Sequence, residues 1–201
     1  MRSIALGLLL LALPALVSAQ SQTDPSKRKG PSASDVTLDD LQGVTIYTTN
    51  SFTARFADNK GEAPGGFTRH TEIRIGPKAA VHIKASRDAW WDSPTGRRTG
   101  HLSGAQSGKI GLPMDARGGA SLFLLQGNTL TQLRVFQVGA HILKISLEKS
   151  ATGLTCKASY SLAQERRSGT TSVPANEGGG SNIEVWKVRP TSSSCKVSGT
   201  K

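Results

Sequence analysis

Between residues 44 and 56 the chain alternates with a period of two. Val44, Ile46, Thr48, Asn50, Phe52, Ala54 and Phe56 fall on one side, and Thr45, Tyr47, Thr49, Ser51, Thr53 and Arg55 on the other. Successive side chains of a β-strand point to opposite faces, so this run predicts a long strand with one buried face. Its β-branched and aromatic content favours the same state. The pattern recurs downstream. Ile73 and Ile75 alternate with Glu72 and Arg74, and after Gly76-Pro77 the apolar Val81, Ile83 and Ala85 alternate with His82, Lys84 and Ser86. Two antiparallel strands joined by a tight turn follow from that spacing.

The second half repeats the theme. Leu122 to Leu125 is apolar on both faces, Gly127-Asn128 is a two-residue hairpin signal, and Leu130 to Val138 runs back. Leu143, Ile145 and Leu147 alternate with Lys144, Ser146 and Glu148; beyond Gly153, Leu154, Cys156, Ala158, Tyr160 and Leu162 alternate with polar residues. Ile183 to Val188 reads as a last strand, with Cys195 in a Ser-rich tail. Arg97 to Ser103 reads as one further strand, while Gly104 to Gly119, rich in Gly and without clear periodicity, reads as loop. Glu165 to Asn182 is a long polar loop. Thr37 to Gly43 offers a cap, two acids in a first turn and a Gly stop, which predicts a single helical turn. The sum is an all-β domain of eight or nine mostly antiparallel strands. With no βαβ alternation, a parallel sheet is not expected. Sequential hairpins favour an up-and-down barrel over a two-sheet sandwich.

Ahead of this domain stands a different kind of sequence. Arg2, the apolar run Ile4 to Val17 and the compact Val17-Ser18-Ala19 have the three parts of a secretory signal over residues 1–19. Residues 20–36 form a polar leader, and 37–201 the β domain. A periplasmic or secreted location follows, and after cleavage no apolar stretch approaches the ~20 residues a spanning helix needs. The two cysteines, Cys156 and Cys195, then read as a disulfide, since an oxidising compartment favours the bond and no C-x-x-C or nearby His suggests redox or metal chemistry.

The formal net charge is +11. Its excess lies almost wholly after residue 60 and is spread thinly, with no run longer than Lys27-Arg28-Lys29. Such a distribution suits solubility or attraction to an anionic envelope polymer. Nucleic-acid binding would want aromatic residues interleaved with basic ones, and they are too few for that.

Catalytic chemistry is not visible. His70, His82, His101 and His141 lack metal-ligand spacing, no G-x-S-x-G elbow surrounds a serine, and no acid pair beyond the helix-start Asp39-Asp40 suggests paired carboxylates. Gly104 to Ile110 has one residue too few for a phosphate loop and Ile110 where a hydroxyl belongs. No enzyme activity, cofactor or metal is therefore expected. Trp90-Trp91 is the oddest pair. On a strand the two point to opposite faces, so one is core while the other is exposed or lines a ligand site. Arg97-Arg98 could contact an anion, as could Arg166-Arg167, although ordinary solvated loop charge explains them better. Trp90, Trp91, Arg97 and Arg98 are thus the candidate ligand-binding residues.

The short turn Thr37 to Gly43, leading directly into a long strand and a meander, resembles the start of the lipocalin-like (calycin) barrels. Val44-Thr45 stand where lipocalins carry a Trp. Gln126 to Phe136, Gly153-Leu154-Thr155-Cys156 and the late Ser-Ser-Cys are similar to stretches of small exported bacterial all-β proteins without assigned activity. The expectation is a non-catalytic exported protein that binds a small lipophile in a barrel, or anionic envelope material through a basic surface. The alternative is a protein-interaction module, such as an inhibitor of a secreted enzyme.

Overall fold

The computed structural model describes residues 35–58, 61–116, 119–136, 139–164, 168–172 and 182–199. The secretory signal, the leader up to Ser34, Arg166-Arg167 and most of the 165–182 loop lie outside the described residues.

Among the described residues one short helix, α1 (Leu38–Leu41), precedes eleven strands: β1 (Thr45–Asp58), β2 (Gly61–Ile75), β3 (Ala80–Ser93), β4 (Gly96–Lys109), β5 (Pro113–Ala116), β6 (Gly119–Gln126), β7 (Thr129–Phe136), β8 (Gly139–Ser150), β9 (Gly153–Gln164), β10 (Ser168–Ser172) and β11 (Asn182–Ser198). They form two antiparallel sheets. The six-stranded sheet runs β10-β11-β1-β2-β3-β4 and the five-stranded sheet β5-β6-β7-β8-β9. Neither closes on itself.

The all-β expectation holds, with eleven strands rather than eight or nine. The extra strands come from segments whose composition hides them. Residues 104–109, small and polar, extend β4 because the backbone of β3 offers a complete ladder from Ala80↔Lys109 to Ser93↔Gly96. Likewise the Ser-rich end of the chain is no tail, since β11 pairs with β1 from Thr45↔Ser198 to Ala57↔Glu184. Backbone hydrogen bonds, not side-chain burial, hold such stretches, so a hydropathy pattern does not reveal them. Where period and burial coincide the reading was right: Gly127-Asn128 turns the β6–β7 hairpin, with Gly127 at φ +52, a conformation that glycine adopts without steric cost.

The even-numbered face of β1 meets the second sheet. Ile46, Phe52, Ala54 and Phe56 join Ile73, Ile75, Val81, Ile83 and Trp91 in one core with Phe123, Leu130, Leu143, Ile145 and Leu147. The segment around α1 covers one end of that core. Thr37 and Asp40 form a capping box, and Val36, Leu41 and Val44 are buried. Its anchors come from both sheets. Gly43 N–H donates to the Ile75 carbonyl at 2.8 Å, Val36 N–H to Asn128 Oδ1 at 2.7 Å, and Lys149 Nζ pairs with Asp40 at 2.7 Å.

At one seam β9 packs beside β11, joined by the Cys156–Cys195 disulfide with Cα atoms 5.7 Å apart. At the other, β4 lies against β5, where Met114 presses on Gly108 so closely that a Cβ has no room.

Candidate functional site

Two rows of side chains face each other across the interior. In the first sheet Asn50, Arg69 and Arg87 stand opposite one another on β1, β2 and β3. In the second, Ser121, Arg134 and His141 do the same on β6, β7 and β8. Register fixes which way they point. Arg69 is in phase with Phe67, Thr71 and Ile73, Arg87 with Ile83, Ala89 and Trp91, and His141 with Leu143 and Ile145, all inward positions. Tyr160, buried on β9, completes the group, its hydroxyl bonded by the Arg69 guanidinium.

Guanidinium groups on directly opposed positions repel. Among the described residues, Arg69 acts on Arg87, Arg134, His141 and Tyr160, and these groups also act on one another. The titration of each group records it. Burial, then Arg69, brings Arg87 down to about 10. Burial, then Arg69, Arg134 and Arg87, brings His141 down to about 3, so its imidazole is neutral at pH 7. Burial raises the Tyr160 phenol above its ordinary value, against the pull of the three arginines, so it stays protonated.

Hydrogen bonding in the row is incomplete. Arg69 Nε donates to Thr71 Oγ1 at 3.4 Å, and both Gln106 and Gln132 reach Ser121 Oγ at 3.3 Å. Asn50 Nδ2 donates to Thr48 Oγ1 at 3.3 Å, but its Oδ1 has no partner. Arg87 is half-buried as a residue, yet its Nε and Nη2 are shielded from solvent and also unpartnered. Unmet donors of a buried cation are costly, about 1–3 kcal/mol or more for each. Beside the row lies an aromatic cluster. Phe52 stacks on Phe67 with centroids 4.6 Å apart and meets Tyr160 edge-on at 5.0 Å, while the Arg87 guanidinium sits 5.5 Å over Phe67.

The candidates expected from sequence lie elsewhere. Trp91 is fully buried, stacked on Phe56 at 5.5 Å, and Trp90 is 39% exposed on the opposite face, as alternation requires. Arg97 lies 4.6 Å over the Trp90 ring and donates to Asp92 at 2.8 Å, while half-buried Arg98 pairs in register with Trp91. The four residues are therefore split between two faces, and none stands in the buried row.

The outer face of the first sheet holds a second feature. A groove of about 580 Å³ is lined by Tyr47, Thr49, His70, Glu72, Lys84 and Ser86 among others. At its edge Thr49 Oγ1 meets His70 Nδ1 at 3.1 Å, and Asp88 lies between His101 at 2.6 Å and His70 at 3.9 Å. Among the described residues, no group of three or more His, Cys, Asp or Glu could hold a metal ion.

Fold and row together define an all-β domain of two antiparallel sheets with Arg69, Arg87 and Arg134 at inward strand positions. No protein-family model, curated protein or solved structure matches the chain.

Proposed function

We propose that this is a non-catalytic, exported binding domain that takes a small amphipathic lipophile between its sheets. One observation carries the reading: a buried row with unmet hydrogen-bonding groups, Arg87 Nε and Nη2 and Asn50 Oδ1, next to the rings of Phe52, Phe67 and Tyr160. A polar end would satisfy the row, and an apolar end would lie among the rings. The rings touch one another, so an apolar chain entering there has to part them.

The two sheets, adjoining at β9–β11 and β4–β5 and covered at one end by α1, support a barrel-like enclosure of that space. Export is supported by the signal-like residues 1–19 and by the disulfide, which an oxidising compartment maintains. The test is native mass spectrometry of the protein purified from the exporting cell. A retained small molecule that leaves on unfolding is the expected result. Protein free of any adduct, which also binds no alkyl probe in titration, overturns the reading.

A second reading, attachment to an anionic envelope polymer through the basic surface, is favoured by the outer groove. Lys84 and Tyr47 line it beside polar residues. Retention on an immobilised acidic polysaccharide, lost in Lys84→Glu, would favour it over the interior site.

A further inference from the structure

We propose that the outer groove of the first sheet holds an acidic sugar of the hexuronate type, its ring laid on Tyr47 and its carboxylate met by Lys84 and Lys196. The inference rests on the second reading above, attachment to an anionic polymer, and names the unit of that polymer which the groove recognises. The strands that carry the groove, β1, β2 and β3, are each paired along both edges. An extended peptide therefore finds no open backbone there to join as an added strand, and recognition is left to side chains. Register sets these in two rows. Tyr47, Glu72 and Lys84 follow one another on β1, β2 and β3, with Thr49, His70 and Ser86 alongside, all at outward positions. On β4 the lining is Ser103, Gly104 and Ala105, small enough to leave a space of about 580 Å³ above the sheet. Small-molecule sites span roughly 300–1,000 Å³, so a sugar unit or two has room.

The lining matches a sugar acid group by group. Tyr47 is aromatic yet 40% exposed, and its ring offers an apolar face on which the C–H side of a pyranose can rest. The hydroxyls of Thr49 and Ser86 and the His70 imidazole each offer a donor and an acceptor, as ring hydroxyls require. Charge supplies the acid. Lys196 stands directly opposite Tyr47 on β11, and Lys84 lies two strands away on the other side, roughly 10 Å at the usual strand spacing. The Glu72 carboxylate between them is met by Arg74 Nε at 2.6 Å, and Asp88, one row further on, by His101 at 2.6 Å. Lys84, Lys196 and Arg74 thus outweigh Glu72 around the Tyr47 ring, and the local field favours an anion. A neutral sugar makes no use of the two ammonium groups, and a phosphate polymer makes none of the tyrosine face. A hexuronate uses both. Binding is reversible and involves no covalent step.

The test uses tetrasaccharides of galacturonate, glucuronate and mannuronate, their methyl esters, which keep the rings and remove the charge, and inorganic polyphosphate. Chemical-shift perturbation in the exported protein reads weak binding and locates it. At least one uronate is expected to bind roughly tenfold more tightly than its ester, with the shifted resonances centred on Tyr47 and Lys84. Tyr47→Ala should weaken that uronate roughly tenfold and leave polyphosphate unchanged, while Tyr47→Phe, which keeps the ring, should hold the affinity. Lys84→Gln should narrow the gap between acid and ester, and Lys84→Gln/Lys196→Gln should close it. An ester that binds as tightly as its acid in the wild type overturns the carboxylate contact and with it the uronate class. Uronates and polyphosphate binding alike, both indifferent to Tyr47→Ala, overturn the proposal and leave attachment to an anionic polymer standing. Shifts confined to another surface overturn the site. No perturbation by any probe overturns the sugar and the polymer readings together.

Discussion

Arg69 and Arg87 face each other across the β2–β3 ladder, both turned inward, and Arg69 pushes the Arg87 guanidinium toward its neutral form. Their interaction is repulsive, and a double-mutant cycle measures it directly. Replacing either with Met relieves the pair once; replacing both relieves it no further. The stability of Arg69→Met/Arg87→Met should therefore fall short of the sum of the single changes by about 1 kcal/mol, the scale of coupling between contacting residues. A coupling of opposite sign in urea unfolding would mean that the two arginines stabilise one another.

His141 gives the domain an acid sensitivity. Burial, then Arg69 on β2, Arg134 on β7 and Arg87 on β3, lowers it from 6.5 to about 3, and the Tyr160 ring on β9 packs against it with centroids 5.7 Å apart. Between those values the unfolded chain binds a proton that the folded one refuses, so stability rises with pH across this window and falls as pH drops from 6.5 toward 3. At about 1.4 kcal/mol per unit, the loss amounts to a few kcal/mol near pH 3. His141→Gln should flatten the dependence in denaturant midpoints collected from pH 7 to 4.

The disulfide spans a sequence separation of 39 residues. Closing a loop of that length restricts the unfolded chain by about 4 kcal/mol in the chain-entropy model. Cys156→Ser/Cys195→Ser should lose about 2–4 kcal/mol, and the wild type under strong reductant should match it in melting temperature. A loss below 1 kcal/mol would show that packing alone holds β9 to β11.

Asp40 is held down to about 2 by Lys149 and by the side chain and backbone of Thr37. A lowered carboxylate contributes stability above its ordinary value of 3.8, and that contribution disappears as pH falls toward 2. Being a surface group, it is worth no more than about 1 kcal/mol. Thr37→Ala, which removes the cap itself, should cost about 1 kcal/mol in chemical denaturation at pH 7.

The two adjacent tryptophans should respond oppositely to truncation. Trp91→Ala empties a fully buried position and should cost about 3–5 kcal/mol. Trp90→Ala, on the outer face under Arg97, should cost less than about 1 kcal/mol and leave alkyl-probe binding intact. Loss of that binding in Trp90→Ala would move the site to the outer face.

How much was readable from sequence divides along the same physical line. Alternation placed β1, β8 and β9 and set Trp90 and Trp91 on opposite faces, because those positions obey both the strand period and the preference of apolar groups for burial. It missed the last stretch of β4 and most of β11, whose Ser, Gly and Thr residues are held by ladders rather than by a core, and it missed β5, whose four residues with one buried Met114 are too few to show a period. The arginine row escaped for a subtler reason. Arg69 and Arg87 occupy the apolar phase of their strands, yet a charged residue is read as solvated by default. The signal was the phase itself: Arg87 sits two residues from Ala85 and two from Ala89, in line with Ile83 and Trp91. Bringing Arg134 and His141 to the same place needs the second sheet folded over the first, which no local pattern encodes.

The pairing of Thr45 with Ser198 joins the first strand to the last. Until β11 docks, one edge of β1 has no partner, and contacts so remote in sequence are slow to form. Closing that edge is therefore expected late in folding. Cys195 lies on β11 itself, so its bond to Cys156 ties this late-docking strand to β9.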